Sequence, residues 1–116
     1  MATKDLSAYD INSVPSAENM SFGIVVAEWN WHITSALAQG AVDTLKRHGA
    51  TDDNITIKYV PGTFELPLGG QFFAEMDNVD SVILLGCVIQ GETRHFDYIC
   101  EGVTQGTKDL NLKYNK

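Results

Sequence analysis

Basic residues are scarce in this chain: eight lysines and arginines stand against fifteen aspartates and glutamates, for a formal charge of −7. They are scattered rather than clustered, which excludes a nucleic-acid backbone as partner, because phosphate contacts need grouped cations. Cysteine is also sparse. Cys87 and Cys100 are too far apart for a CxxC redox pair, no His or Cys cluster offers a zinc ligand set, and two reduced, partly buried thiols are expected. No apolar run approaches the roughly 20 residues that cross a bilayer, and the N-terminus lacks the basic start and apolar stretch of a secretory signal. A cytoplasmic protein without membrane contact is expected. With 116 residues there is room for one core and no second domain.

Residues 1–20 are polar, mix Ser, Asn and Asp with Pro15, and show no sustained periodicity; they read as an extended arm outside the core, leaving 21–116 as a single domain. Phe22 to Ala27 is a continuous, β-branched apolar run, the pattern of a strand covered on both faces. From Ile33 to His48 the apolar positions Ile33, Leu37, Ala41 and Leu45 recur every four residues, Thr34 and Ser35 are available as caps, and Gly49 follows, predicting a helix. Ile55 to Val60 predicts a second strand, stopped by Pro61-Gly62. Phe64 to Met76 predicts a helix with Pro67 in its first turn, weakened by the Gly69-Gly70 pair. Ser81 to Cys87 is another buried-strand run, and Tyr98 onward, with Ile99, Val103, Thr107 and Leu110, returns to helical spacing. Strand and helix thus alternate three times, which implies right-handed crossovers and an open parallel sheet with helices on both faces.

Ligands of such sheets bind beyond the carboxyl ends of the strands, in this chain at the loops 28–31, 61–65 and 88–97. The first carries Trp29 and Asn30, an aromatic plane beside an amide, suited to a flat heterocycle; a half-buried core tryptophan is the plainer alternative. The second, Pro61-Gly62-Thr63-Phe64-Glu65, sets a hydroxyl, backbone N–H groups and a carboxylate at a helix start. Glu65 fits either a simple helix-start acid or an acceptor for polyol hydroxyls. The third, Val88 to Phe96, has Gly91 for close backbone approach and N–H groups near Glu92 and Thr93 that suit a phosphate. It matches neither GxGxxG nor the P-loop pattern. His95 stands at the following helix start and fits either a base that exchanges protons or a capping or merely exposed histidine. Together the three loops bring an aromatic plane, a carboxylate, a phosphate nest and one titratable base to one rim.

The runs Phe22-Gly23-Ile24-Val25 with Trp29-Asn30, Pro61-Gly62-Thr63-Phe64-Glu65-Leu66-Pro67, and Gly86 to Tyr98 resemble, in order and spacing, the lumazine synthase family. The resemblance covers about Phe22 to the end. It implies an α/β three-layer sandwich with an open parallel sheet in flavodoxin-like order. It also implies that Trp29 stacks on a pyrimidine, Thr63, Phe64 and Glu65 hold a ribityl chain, and Cys87, Val88 and Ile89 line the ring pocket. Glu92 and Thr93 would hold the phosphate of 3,4-dihydroxy-2-butanone 4-phosphate, and His95 would transfer protons.

The implied reaction condenses 5-amino-6-(D-ribitylamino)uracil with that butanone phosphate to give 6,7-dimethyl-8-ribityllumazine, phosphate and water. Each step is a proton transfer on reactive partners, so positioning and one acid/base suffice and no metal or organic cofactor is required. The expected partners are these small molecules and further copies of the chain, as pentamers, decamers or shells of sixty. Two departures stand out. Gln90 replaces an arginine common in the family, and members continue beyond the position of Lys116 into a segment that carries a phosphate-pairing arginine, so the domain is expected to be C-terminally incomplete. Arg94 does not occupy that position. A non-catalytic flavin- or lumazine-binding module and a structural shell subunit are the alternatives.

Overall fold

The computed structural model describes residue 5 and residues 7–116. Its sheet has three parallel strands, β1 (Phe22–Ala27), β2 (Ile55–Val60) and β3 (Ser81–Leu85), in the order β2-β1-β3. Phe22 pairs with both Ile55 and Ser81, and Ala27 with Val60. Three helices alternate with them: α1 (Trp31–Arg47), α2 (Leu66–Ala74) and α3 (His95–Tyr114).

β1 is central, and all six of its residues are buried. Successive side chains of a strand point to opposite faces, and the β1 run uses both. Val25 and Ala27 join Leu66 and Phe73 of α2 and Val79, with Val103 of α3 packed against them. Phe22 points the other way, into a second cluster with Ala17 and Ala50, against which Leu45 of α1 packs. Helices therefore cover both faces, α2 and α3 lying together on one and α1 on the other, the three-layer α/β arrangement expected from the alternation. Fully burying an Ile or Val stabilises by roughly 1.5–3 kcal/mol, and Ile24, Val25 and Val26 are all fully buried.

The structure departs from the sequence reading in several places. Helix α1 starts at Trp31, not Ile33, and neither Thr34 nor Ser35 caps it: Asn30 precedes it in left-handed backbone (φ 63°) with no side-chain cap bond. Thr34 is instead fully buried, and the Ser35 hydroxyl donates back to the Trp31 carbonyl. At the other end Gly49 does terminate the helix, at φ 108°. The Gly69-Gly70 pair stands inside α2 and lets it lie against the sheet. A Cβ on Gly69 would sit 2.7 Å from Val25 Cγ1, and one on Gly70 2.9 Å from Leu84 Cδ2. A short 3-10 turn, Thr63–Glu65, precedes α2, which ends at Ala74. Strand β3 stops at Leu85, and all five of its residues are only half-buried, because no strand lies beyond it among the described residues. α3 begins at His95, three residues earlier than the spacing alone predicted.

Of the predicted arm 1–20, residues 1–4 and 6 lie outside the described residues. Its end is not outside the core: the Ala17 side chain is buried beside Phe22 and Ala50, and its N–H donates to the His48 carbonyl at 2.8 Å.

Candidate active site

The parallel ladder does not end with the strands. Glu28 N–H donates to Val60 O and Trp29 N–H to Pro61 O, so the first two loops leave the sheet side by side. The Trp29 indole then lies directly on the backbone of Gly62, where a Cβ would come within 2.5 Å of its ring. This explains the glycine after Pro61: any larger residue would push the indole off the loop. Phe64 packs its ring against Gly102 of α3, where a Cβ would be 2.8 Å away, and Pro67 packs likewise against Gly106. The second loop is thereby wedged between the first loop and α3.

Thr63 completes the junction. Its Oγ1 accepts from Cys87 N–H at 3.1 Å and donates to Cys87 O at 3.2 Å, joining the second loop to the third. Asn30 Nδ2 donates to the same carbonyl at 3.4 Å.

These contacts frame a cleft of about 340 Å3 lined by Trp29, Asn30, Thr63, Phe64, Glu65, Cys87, Val88, Ile89, His95 and Ile99. Residues from all three loops thus meet in one place. Trp29 is 65% exposed, Phe64 57% and Ile89 62%, so Trp29 is a rim residue and not a core tryptophan. Glu65 and Thr63 are half-buried, while His95, the first residue of α3, is exposed. Its N–H donates to Thr93 Oγ1 at 3.4 Å.

Glu92 and Thr93 do not line this cleft; both are exposed, and Gly91 has open space where a Cβ would stand. Arg94 pairs at 4.0 Å with Asp97 of its own helix turn. One lining residue, Ile99, was missed as a site candidate; Asn30, offered beside Trp29 as an amide for a flat heterocycle, does line the cleft. Ile99 follows His95 by four residues, one helical turn, which puts both on one face of α3.

A larger groove, about 540 Å3, runs along β2 and α2 past Tyr59, Leu68, Phe72 and Met76. It is predominantly apolar, shares Glu65 with the cleft and does not include His95. Among the described residues no three His, Cys, Asp or Glu side chains converge as a metal-ligand set.

The sequence profile of 6,7-dimethyl-8-ribityllumazine synthase matches residues 19–116, a span that contains every one of these loops. The chain belongs to the 6,7-dimethyl-8-ribityllumazine synthase family. The lumazine synthase of Parabacteroides distasonis is 55% identical over 98% of this chain and 71% of its own length. That of Phocaeicola vulgatus is 56% identical over 97% of this chain and 67% of its own. The lumazine synthase of Cytophaga hutchinsonii is 55% identical over 99% of this chain and 72% of its own.

Proposed function

We propose that this chain condenses 5-amino-6-(D-ribitylamino)uracil with 3,4-dihydroxy-2-butanone 4-phosphate to give 6,7-dimethyl-8-ribityllumazine, phosphate and water, the penultimate step of riboflavin biosynthesis. The observation that carries it is the single cleft in which Trp29, Glu65, Cys87 to Ile89 and His95 meet, in a chain of this family. The pyrimidine ring stacks on the Trp29 indole and lies along the backbone of Cys87, Val88 and Ile89. Phe64, Glu65 and the Thr63 backbone take the ribityl chain. The phosphate sits at the margin, toward the backbone of Glu92 and Thr93 at the start of α3.

The ring amine attacks the ketone, phosphate leaves by elimination, and closure with loss of water forms the second ring. His95 moves the protons. No cofactor enters these steps, since they are proton transfers between reactive, well-oriented partners.

A fluorescence assay for the lumazine product, with the purified chain and both substrates, tests this directly. Product above the uncatalysed background supports the reading, and its absence overturns it. Glu65→Ala should weaken pyrimidine binding about tenfold or more, because a hydrogen bond to a charged acceptor contributes roughly 1.5–3 kcal/mol. Titration calorimetry with the ribitylaminopyrimidine measures this, and wild-type affinity would return Glu65 to a helix-start role.

The same reading extends to assembly into pentamers, or multiples of them, in the cytoplasm. Its support is the exposed apolar strip Leu68, Phe72 and Met76, four residues apart on α2 and its exit, beside Tyr59 of the edge strand β2. Patches of this kind mark contact surfaces. Among the described residues no helix is long and apolar enough to cross a membrane. Phe72→Asp, at a side chain 60% exposed, should dissociate the assembly with the fold retained. Sedimentation velocity reads the outcome, and an unchanged particle mass would remove this strip from the interface.

A further inference from the structure

In the second loop the Thr63 hydroxyl is turned toward the third loop. A hydroxyl has one donor and two acceptor sites. Thr63 Oγ1 gives its donor to Cys87 O and one acceptor site to Cys87 N–H, so a single lone pair remains for any ligand. Beyond Leu85 the third loop has left β3; Thr63 supplies Cys87 with the pair of bonds that a neighbouring strand would otherwise give. The hydroxyl reaches that peptide only because residue 86 is glycine. A Cβ there would stand 2.5 Å from Thr63 Oγ1. The Cys87 carbonyl also receives Asn30 Nδ2, so one peptide ties all three loops.

We infer that Thr63 is a positioning residue, whose hydroxyl locks the second loop to the Cys87 peptide and so sets the backbone of Cys87 to Ile89 against the substrate ring. Ribityl recognition falls to its backbone and to its neighbours Phe64 and Glu65, not to its hydroxyl. This rests on the assignment of the Cys87 to Ile89 backbone to the ring pocket. It separates the two halves of the threonine side chain: the hydroxyl carries the function, and the methyl is incidental.

Thr63→Val keeps the shape and removes the hydroxyl; Thr63→Ser does the reverse. Amide hydrogen exchange at Cys87 and steady-state kinetics on the full chain distinguish them. The wild-type Cys87 amide is expected to be protected. Thr63→Val should lose that protection and raise the KM for the pyrimidine about tenfold, more than it lowers kcat, since loop misplacement acts on positioning. Thr63→Ser should keep both near wild type, and Gly86→Ala, which crowds the hydroxyl, should resemble Thr63→Val. An unprotected Cys87 amide in the wild type overturns the inference, as does a Thr63→Val enzyme with wild-type KM or a Thr63→Ser enzyme equally impaired. If Thr63→Val does not fold, exchange in the wild type and the serine variant decides. If the wild type itself makes no lumazine, the enzymatic reading fails while exchange still decides the lock.

Discussion

His95→Ala should lower kcat on the order of 10²-fold, the lower end of what a positioned acid/base contributes, while the KM for the pyrimidine changes less than about threefold. The split follows from where the residue sits. His95 opens α3 and lines the cleft together with Ile99 one turn later, as do Trp29 and Glu65 from the first two loops. In the proposed reading the ring-stacking and ribityl contacts come from the first two loops, so removing the imidazole leaves substrate binding in place and takes away the group proposed to move protons. The loss stays moderate because the two substrates react without help once held together, and orientation carries much of the acceleration. Steady-state kinetics by product fluorescence measures both constants. An unchanged kcat would remove the histidine from the chemistry, and a large rise in KM would make it a binding residue instead.

Gly23→Ala should destabilise the fold by about 3 kcal/mol, at the upper end of the ~1–3 kcal/mol typical of overpacking. Gly23 lies in the central strand, hydrogen-bonded on both sides, opposite Thr56 of β2 and Val82 of β3. A Cβ there would fall 2.4–2.8 Å from the Phe73 ring atoms. Phe73 is only 3% exposed and belongs to the main cluster, so neither partner can move away. The usual gain from replacing a strand glycine, roughly 0.5–1 kcal/mol, does not offset this. Urea denaturation reads the effect, and combining Gly23→Ala with Phe73→Leu should recover part of it, because touching residues are energetically coupled. A single variant within about 0.5 kcal/mol of wild type would show that Phe73 has freedom to shift.

Much of this architecture was legible before any coordinates. Phe22 to Ala27 and Ile55 to Val60 are strands at their predicted bounds, because a β-branched apolar run stopped by Pro-Gly or a polar loop is a local signal. Loop convergence was legible too, since three parallel strands joined by right-handed crossovers must present their carboxyl ends along one edge. What failed had no local signal. Helix α1 begins after a left-handed Asn30 without a side-chain cap, so Thr34 and Ser35 looked like caps and are not. The half-buried β3 was read as fully covered, since sequence reports apolarity and not whether a neighbour is present.

The order and type of the elements were therefore determined by the sequence alone: hydrophobic period and turn residues act between near neighbours. Only the tertiary structure decided what the glycines and the threonine do. Gly62 under Trp29, Gly69 against Val25, and Thr63 on the Cys87 peptide are contacts between segments distant in the chain. Such contacts depend on distances of a few ångström that exist only once the layers have packed.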